Sequence, residues 1–202
     1  MKVIDTAIIL AGGRSSRMGF DKQFLKLKEK YLIEALIDKL RSMFSEIVIV
    51  TNRPDRYVKY NCIIAEDEVQ GFGPVAGIHA GLKKTSSLYN YIIACDMPFI
   101  NREYIRYMKG LIMGHSGEVD AVITRLGEWI EPFNAFYSKR LIDRIEVNMQ
   151  KGYRQINSLF SDSTVLYVEE AKAREYSPDW DMFANLNTMK DYKAALGKML
   201  QE

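Results

Sequence analysis

Apolar residues along the chain fall into two alternating patterns. Val3 to Leu10, Ile47 to Thr51, Cys62 to Ala65 and Tyr91 to Cys95 are short, nearly unbroken apolar runs. Such runs suit strands buried on both faces of a parallel sheet. Between them apolar residues recur at helical spacing, as in Leu32, Leu36, Ile37 and Leu40, then Val75, Ile78, His79 and Leu82, then Tyr104, Ile105, Met108 and Leu111. That spacing places them on one face of a helix. Strand alternating with helix predicts an α/β fold of three layers, with a doubly wound, mostly parallel sheet.

The second half is less regular. Asp120 to Thr124 and Asn134 to Tyr137 read as strands around a loop holding Gly127, Trp129 and Pro132. Lys139 to Met149 reads as a helix, Thr164 to Val168 as a strand and Thr188 to Leu200 as a final helix. Thr188 followed three residues later by Asp191 suits a capping box with Asp in place of the usual Glu. With no repeat, low-complexity tract or long linker, residues 1–202 are expected to form a single domain.

Composition narrows the function. A chain of 202 residues with 48% hydrophobic and 27% charged residues can bury a core of its own. The net charge of +2 lacks the clustered basic stripe of a nucleic-acid binder, since Glu29 and apolar residues interrupt Lys22, Lys26, Lys28 and Lys30. Cys62 and Cys95 sit in apolar runs and read as core residues in a reducing compartment. The start of the chain lacks a signal-peptide pattern, and no apolar stretch reaches the length of a membrane span. The expected location is the cytoplasm, without nucleic-acid or membrane partners. Neither His79 nor His115 has a partner at metal or triad spacing.

The chemistry concentrates after the first strand, in Leu10-Ala11-Gly12-Gly13 and on through Arg17-Met18-Gly19 to Asp21-Lys22. Paired glycines let the backbone turn sharply, and successive amides in such a loop can converge on phosphate oxygens. Arg17 and Lys22 add charge where a polyphosphate would lie. The loop is neither a Walker loop nor a dinucleotide fingerprint. Asp96 ends the strand Tyr91 to Cys95 and suits a magnesium ion, which takes one or two carboxylates plus phosphate and water oxygens. Its alternative is a turn residue that caps the next helix. Asp67 and Asn52 also follow strands, with ordinary turn residues as their alternative reading. Gly73, Pro74 and Gly77 suit a close approach to a base or ribose, although Gly77 could instead let two helices pack.

The glycine loop resembles the signature loop of nucleotidylyltransferases, most closely the molybdenum cofactor guanylyltransferases. Three later segments match in the same order: Ala65-Glu66-Asp67 with Gly73-Pro74-Val75-Ala76-Gly77-Ile78, Ala94-Cys95-Asp96-Met97-Pro98-Phe99, and Asn185-Leu186-Asn187-Thr188. The resemblance implies a Rossmann-like fold of the nucleotide-diphospho-sugar transferase kind. Nucleotide-binding elements would lie before about residue 115 and acceptor-binding elements from about 116 to 202. It further implies Mg²⁺ on Asp96, and nucleotide contacts from Leu10, Ala11, Gly12, Gly13, Lys22, Asn52, Asp67, Gly77 and Asp96. Arg17, Lys22 and Asp96 would be catalytic. Substrates would be GTP and a molybdopterin-type acceptor, with transient contacts to cofactor-biosynthesis and molybdoenzyme partners. Glu131-Pro132-Phe133 and Gly152-Tyr153-Arg154 resemble acceptor-side segments, so Arg154, Asn185 and Asn187 are candidates for the acceptor, with a surface charge the alternative for Arg154.

The sequence departs from the family at Leu27-Lys28-Glu29-Lys30-Tyr31, where a Gly-Lys turn is usual. The Gly12-Gly13 pair resembles the guanylyl branch, whereas many relatives carry Leu-Ala-Ala-Gly. Two other functions stay open at this point: a transferase of the same fold using CTP or another acceptor, and a non-catalytic nucleotide sensor.

Overall fold

A strand that is apolar on both faces must be covered twice, and the chain alternates to do so. The computed structural model describes residues 2–12, 26–27, 29–67, 69 and 71–199. In chain order the first half holds β1 (Lys2–Leu10), β2 (Lys26–Leu27), β3 (Lys30–Tyr31), α1 (Leu32–Arg41), β4 (Glu46–Val50), β5 (Ile63–Ala65), α2 (Pro74–Lys84), β6 (Ser87–Ala94) and α3 (Arg102–Gly114). The second half holds β7 (Ala121–Leu126), β8 (Trp129–Ser138), α4 (Leu141–Gln150), β9 (Val165–Glu169), α5 (Glu170–Arg174) and α6 (Met189–Met199).

Seven strands form one sheet in the order β5-β4-β1-β6-β8-β7-β9. β1 pairs in parallel with β4 and with β6, and the β4–β5 and β7–β9 pairs are also parallel. Only β8 runs against its neighbours β6 and β7. The period-2 alternation of a strand splits the core in two. Ala7, Ile9, Ile47, Ile49, Tyr91 and Ile93 face α1, α3 and α5, whereas Ile8, Leu10, Val48, Val50 and Ile92 face α2 and α4. Ala7, Ile8 and Ile9 are fully buried. Each large aliphatic side chain buried in this way contributes about 1.5–3 kcal/mol. The sheet is mostly parallel and flanked by helices, as the periodicity predicts.

Several boundaries differ from the sequence reading. β6 starts at Ser87 rather than Tyr91, because buried Ser87 Oγ accepts Thr6 Oγ1–H at 2.8 Å across the β1–β6 pair and buried Asn90 Nδ2 donates to Ser87 C=O at 3.3 Å. The loop expected around Trp129 and Pro132 is mostly strand. The β7–β8 register shifts between Val122 and Thr124, so Pro132, which has no N–H to offer a ladder, falls in the irregular stretch. Asn134 there adopts φ +57°. Short α5 carries no long periodic pattern and escapes notice in the sequence. Around the departing segment, Lys26 pairs with Tyr31 and Leu27 with Lys30, so a small hairpin forms without the family's Gly-Lys turn.

Cys95 is buried, Cys62 is half-buried and neither is in a disulfide. His79 is buried on α2 with Nε2 2.8 Å from Oε1 of Glu146 on α4, while His115 is an exposed residue at the end of α3. The capping box forms: Thr188 N–H donates to Asp191 Oδ2 at 2.7 Å and Asp191 N–H donates to Thr188 Oγ1 at 3.2 Å. α6 packs Ala195 with Leu32 and Leu186, returning the end of the chain to the start of α1. Among the described residues no helix is long and apolar enough to cross a membrane.

Gly81 sets how closely α2 lies on the sheet. A Cβ there would stand 2.6 Å from Ile8 Cγ2 and 3.2 Å from Val50 Cγ2, both side chains of the buried core. Gly81→Ala is therefore expected to destabilise the protein. Overpacking costs about 1–3 kcal/mol, and the better helix propensity of alanine returns at most about 1 kcal/mol. Urea unfolding would read the loss as a lower midpoint at unchanged slope.

Candidate active site

In a parallel sheet all strands release the chain at one edge, so the residues just past β1, β4, β5 and β6 are neighbours. Backbone pairing continues one residue beyond the strands. Ala11 N–H donates to Val50 C=O at 2.8 Å, Thr51 N–H to Ala65 C=O at 2.9 Å and Cys95 N–H to Leu10 C=O at 3.0 Å. These bonds set Ala11-Gly12, Thr51-Asn52, Glu66-Asp67 and Asp96 side by side along the carboxyl edge. Leu10 and Ala11 are buried and Gly12 is exposed. Gly13, Arg17 and Lys22 lie outside the described residues.

Asn52 and Asp67 are brought together. Asp67 N–H donates to Asn52 Oδ1 at 3.3 Å, and Asp67 Oδ1 accepts from Val69 N–H at 3.0 Å. One face of the edge is then closed by the start of α2. Gly71 and Gly73 take φ +91° and +54°, a region that residues with a Cβ rarely adopt, and Pro74 opens the helix. Gly77 N–H donates to Gly73 C=O at 3.3 Å, and its ideal Cβ would touch Leu10 Cδ2 at 3.4 Å. Gly77 thus lies over the sheet rather than at a helix–helix contact, which replaces the packing alternative drawn from sequence.

Asp96 is half-buried where β6 ends. It does not cap the following helix: Asn101 does, its Oδ1 accepting Tyr104 N–H at 2.9 Å. The Asp96 carbonyl accepts Leu186 N–H at 2.9 Å. Leu186 is buried between exposed Asn185 and Asn187, so both asparagines flank the Asp96 turn although 89 residues separate Asp96 from Asn185 in the chain. Arg154 is elsewhere on the edge, its guanidinium 5.7 Å from the centre of the Phe72 ring, next to the glycine turn of α2. Among the described residues no group of three or more His, Cys, Asp or Glu side chains is placed to hold a metal. Asp96 offers a carboxylate at the strand end, the oxygen ligand type that magnesium takes together with phosphate and water oxygens.

One residue that the sequence marks only as part of an acceptor-side segment, with no role of its own, stands on this edge. Glu131, near the start of β8, is half-buried, and burial pushes its carboxyl above the ordinary range, only partly offset by a bond from Trp180 Nε1–H to Oε1 at 3.4 Å. Its signal in the sequence is a lone carboxylate inside the apolar run Trp129-Ile130-Glu131-Pro132-Phe133.

Comparison with known proteins shows the family. A family model described as the MobA-like NTP transferase domain matches residues 7–165. The chain belongs to this family. It is 49% identical over 195 residues to a "probable molybdenum cofactor guanylyltransferase" of Peptoclostridium acidaminophilum, with 95% of this chain and 88% of that protein covered. It is 46% identical to the molybdenum cofactor guanylyltransferase of Syntrophotalea carbinolica, covering 93% and 89%. Among solved structures, molybdopterin-guanine dinucleotide biosynthesis protein A of Archaeoglobus fulgidus superposes with a TM-score of 0.81 at 28% identity, covering 98% of this chain and all of that one. The chain is accordingly a nucleotidyltransferase with the nucleotide-diphospho-sugar transferase fold.

The two glycines of α2 separate by experiment. Gly73→Ala forces a Cβ into positive φ and is expected to cost about 1–3 kcal/mol of stability. Gly77→Ala meets ordinary contact distances and should stay within about 1 kcal/mol of the parent. Chemical denaturation of the two variants side by side checks the contrast.

Proposed function

We propose that the enzyme transfers GMP from GTP to the phosphate of molybdenum-bearing molybdopterin and releases pyrophosphate. The observation that carries the reading is the row of polar groups along one sheet edge, Gly12, Asn52, Asp67, Asp96 and Asn185, in a chain whose relatives bear the guanylyltransferase name. An oxygen of the acceptor phosphate forms a bond to the α-phosphorus of GTP, the bond from that phosphorus to the bridging oxygen breaks, and the electron pair leaves with pyrophosphate. The acceptor phosphate is already anionic at neutral pH, so no strong general base is required. Positioning and charge stabilisation supply most of the catalysis.

Roles follow from position along the edge for the described residues, and from the family's signature loop for Gly13, Arg17 and Lys22. Asn52, Asp67 and Gly77 surround the nucleoside, while Leu10, Ala11, Gly12 and Gly13 present backbone to the triphosphate. Arg17 and Lys22 balance its charge as it shifts onto the leaving group. Asn185, Asn187 and Arg154 orient the acceptor. Asp96 would hold Mg²⁺ together with phosphate and water oxygens, and the ion would neutralise charge on the phosphates. Residues 1–202 work as one domain in this reading, in the cytoplasm, with transient contacts to cofactor-biosynthesis and molybdoenzyme proteins.

Three experiments test it. Pyrophosphate release with molybdopterin and each of the four NTPs should favour GTP; equal rates with all four would defeat the guanylyl assignment. Asp96→Asn should lower transfer at least about 100-fold while GTP binding weakens but stays measurable by calorimetry. Chelation should silence the parent enzyme, and added Mg²⁺ should restore it. Full activity of the variant would overturn the role given to Asp96.

A further inference from the structure

Glu131 occupies a position on the edge that none of these roles uses. β8 runs antiparallel to β6, with Tyr89 opposite Ser138 and Ile92 opposite Ala135, so the first residues of β8 lie beside the end of β6. Glu131 pairs across to Thr124 of β7, which puts it on the far side of Asp96 from β1, β4 and β5. Asn52 and Asp67 stand on that other side.

A single segment joins the Glu131 carboxylate to the Asp96 backbone. Trp180, in the left-handed region at φ +63°, donates its indole N–H to Glu131. Two residues on, the Met182 carbonyl accepts Asn134 Nδ2 at 3.2 Å, and Asn134 Oδ1 accepts the Tyr91 hydroxyl at 2.6 Å. Leu186 then donates to the Asp96 carbonyl. The stretch from Trp180 to Leu186 is thereby pinned at both ends and in the middle. Asn185 is exposed on this segment, between Trp180, which meets Glu131, and Leu186, which meets Asp96.

The chemistry of Glu131 is that of a receptor for N–H groups. It is half-buried and desolvated, its only described partner is the long indole bond, and among the described residues Oε2 has no hydrogen-bond partner. A half-buried carboxylate would repel an anionic phosphate but accepts two parallel N–H donors well. A 2-amino-4-oxo pteridine offers that pair on one edge, the ring N3–H and an N–H of the 2-amino group. We infer that Glu131 is a specificity residue that reads the amino-pyrimidinone edge of the pterin acceptor, with the acceptor phosphate lying toward Asp96. The inference rests on the acceptor proposed above. Guanine presents the same donor edge, so the experiment must separate the two.

Glu131→Gln is the informative variant. Its side-chain oxygen still accepts from Trp180, so the segment stays anchored, while its NH₂ faces donors with a donor. Acceptor KM is expected to rise about 10–100-fold, the range for hydrogen bonds to a charged group, with kcat within a few fold. The Kd for GTP and the thermal midpoint should not change. A second arm needs no variant. As inhibitors of wild-type transfer, 6-hydroxymethylpterin monophosphate should compete about tenfold better than its 2,4-dioxo (lumazine) counterpart, and Glu131→Gln should erase the preference. An unchanged acceptor KM, an equal effect of both inhibitors on the wild type, or relaxed choice between GTP and ATP in the variant would each overturn the inference. Absence of transfer by the wild-type enzyme would instead defeat the proposed function itself.

Discussion

The structure depends on β1 being hydrogen-bonded in parallel on both sides, to β4 and to β6. Parallel neighbours cannot be joined by a tight turn, so each connection must cross over the sheet, through α1 between β1 and β4 and through two short 3₁₀ turns between β4 and β5. Two consequences follow together. Both faces of β1 become covered, which is why Ala7, Ile8 and Ile9 are fully buried. β1, β4, β5 and β6 also let go of the chain at one edge, which is why polar residues distant in sequence collect there. Burial and site formation are one constraint seen from two directions.

The second half of the chain uses a different device. β8 enters antiparallel, so its first residues, not its last, reach the same edge. This places a carboxylate, Glu131, opposite the nucleotide side of Asp96. The price is an irregular stretch around Pro132 and Asn134, whose left-handed backbone is held by Tyr91 and by the carbonyl of Met182. From there the chain crosses the edge through Trp180 and Leu186 and finishes in α6, packed on the start of α1. Both halves of the chain therefore contribute to one rim.

Most of the first-half architecture was legible in the sequence because its strands are apolar on both faces and its helices are long enough to show their period. Val3 to Leu10 and Ile47 to Thr51 match β1 and β4 within a residue or two. The capping box of α6 was legible because Thr188 and Asp191 act locally. What failed were elements with mixed patterns: the polar start of β6 at Ser87, the proline-bearing start of β8, and α5 with five residues. Cys62 proved half-buried because the polar loop before β5 leaves it near the surface, with its thiol donating to Tyr60 C=O at 3.5 Å. At the candidate site, Asn52, Asp67 and Asp96 could be placed at strand ends from sequence. The bond between Asn52 and Asp67 could not, since a turn residue reads the same whether or not its side chain braces another loop.

The sequence by itself determined the α/β alternation, the glycine turn after the first strand and the positions of carboxylates and amides at strand ends, because these are set by neighbours along the chain. Tertiary structure alone decided that Leu186 closes on Asp96, that Gly81 brings α2 down onto Ile8, and that Glu131 is a desolvated carboxylate beside Trp180. Each of these pairs segments far apart in the chain, and side-chain burial and cross-strand register exist only once the sheet has closed around them.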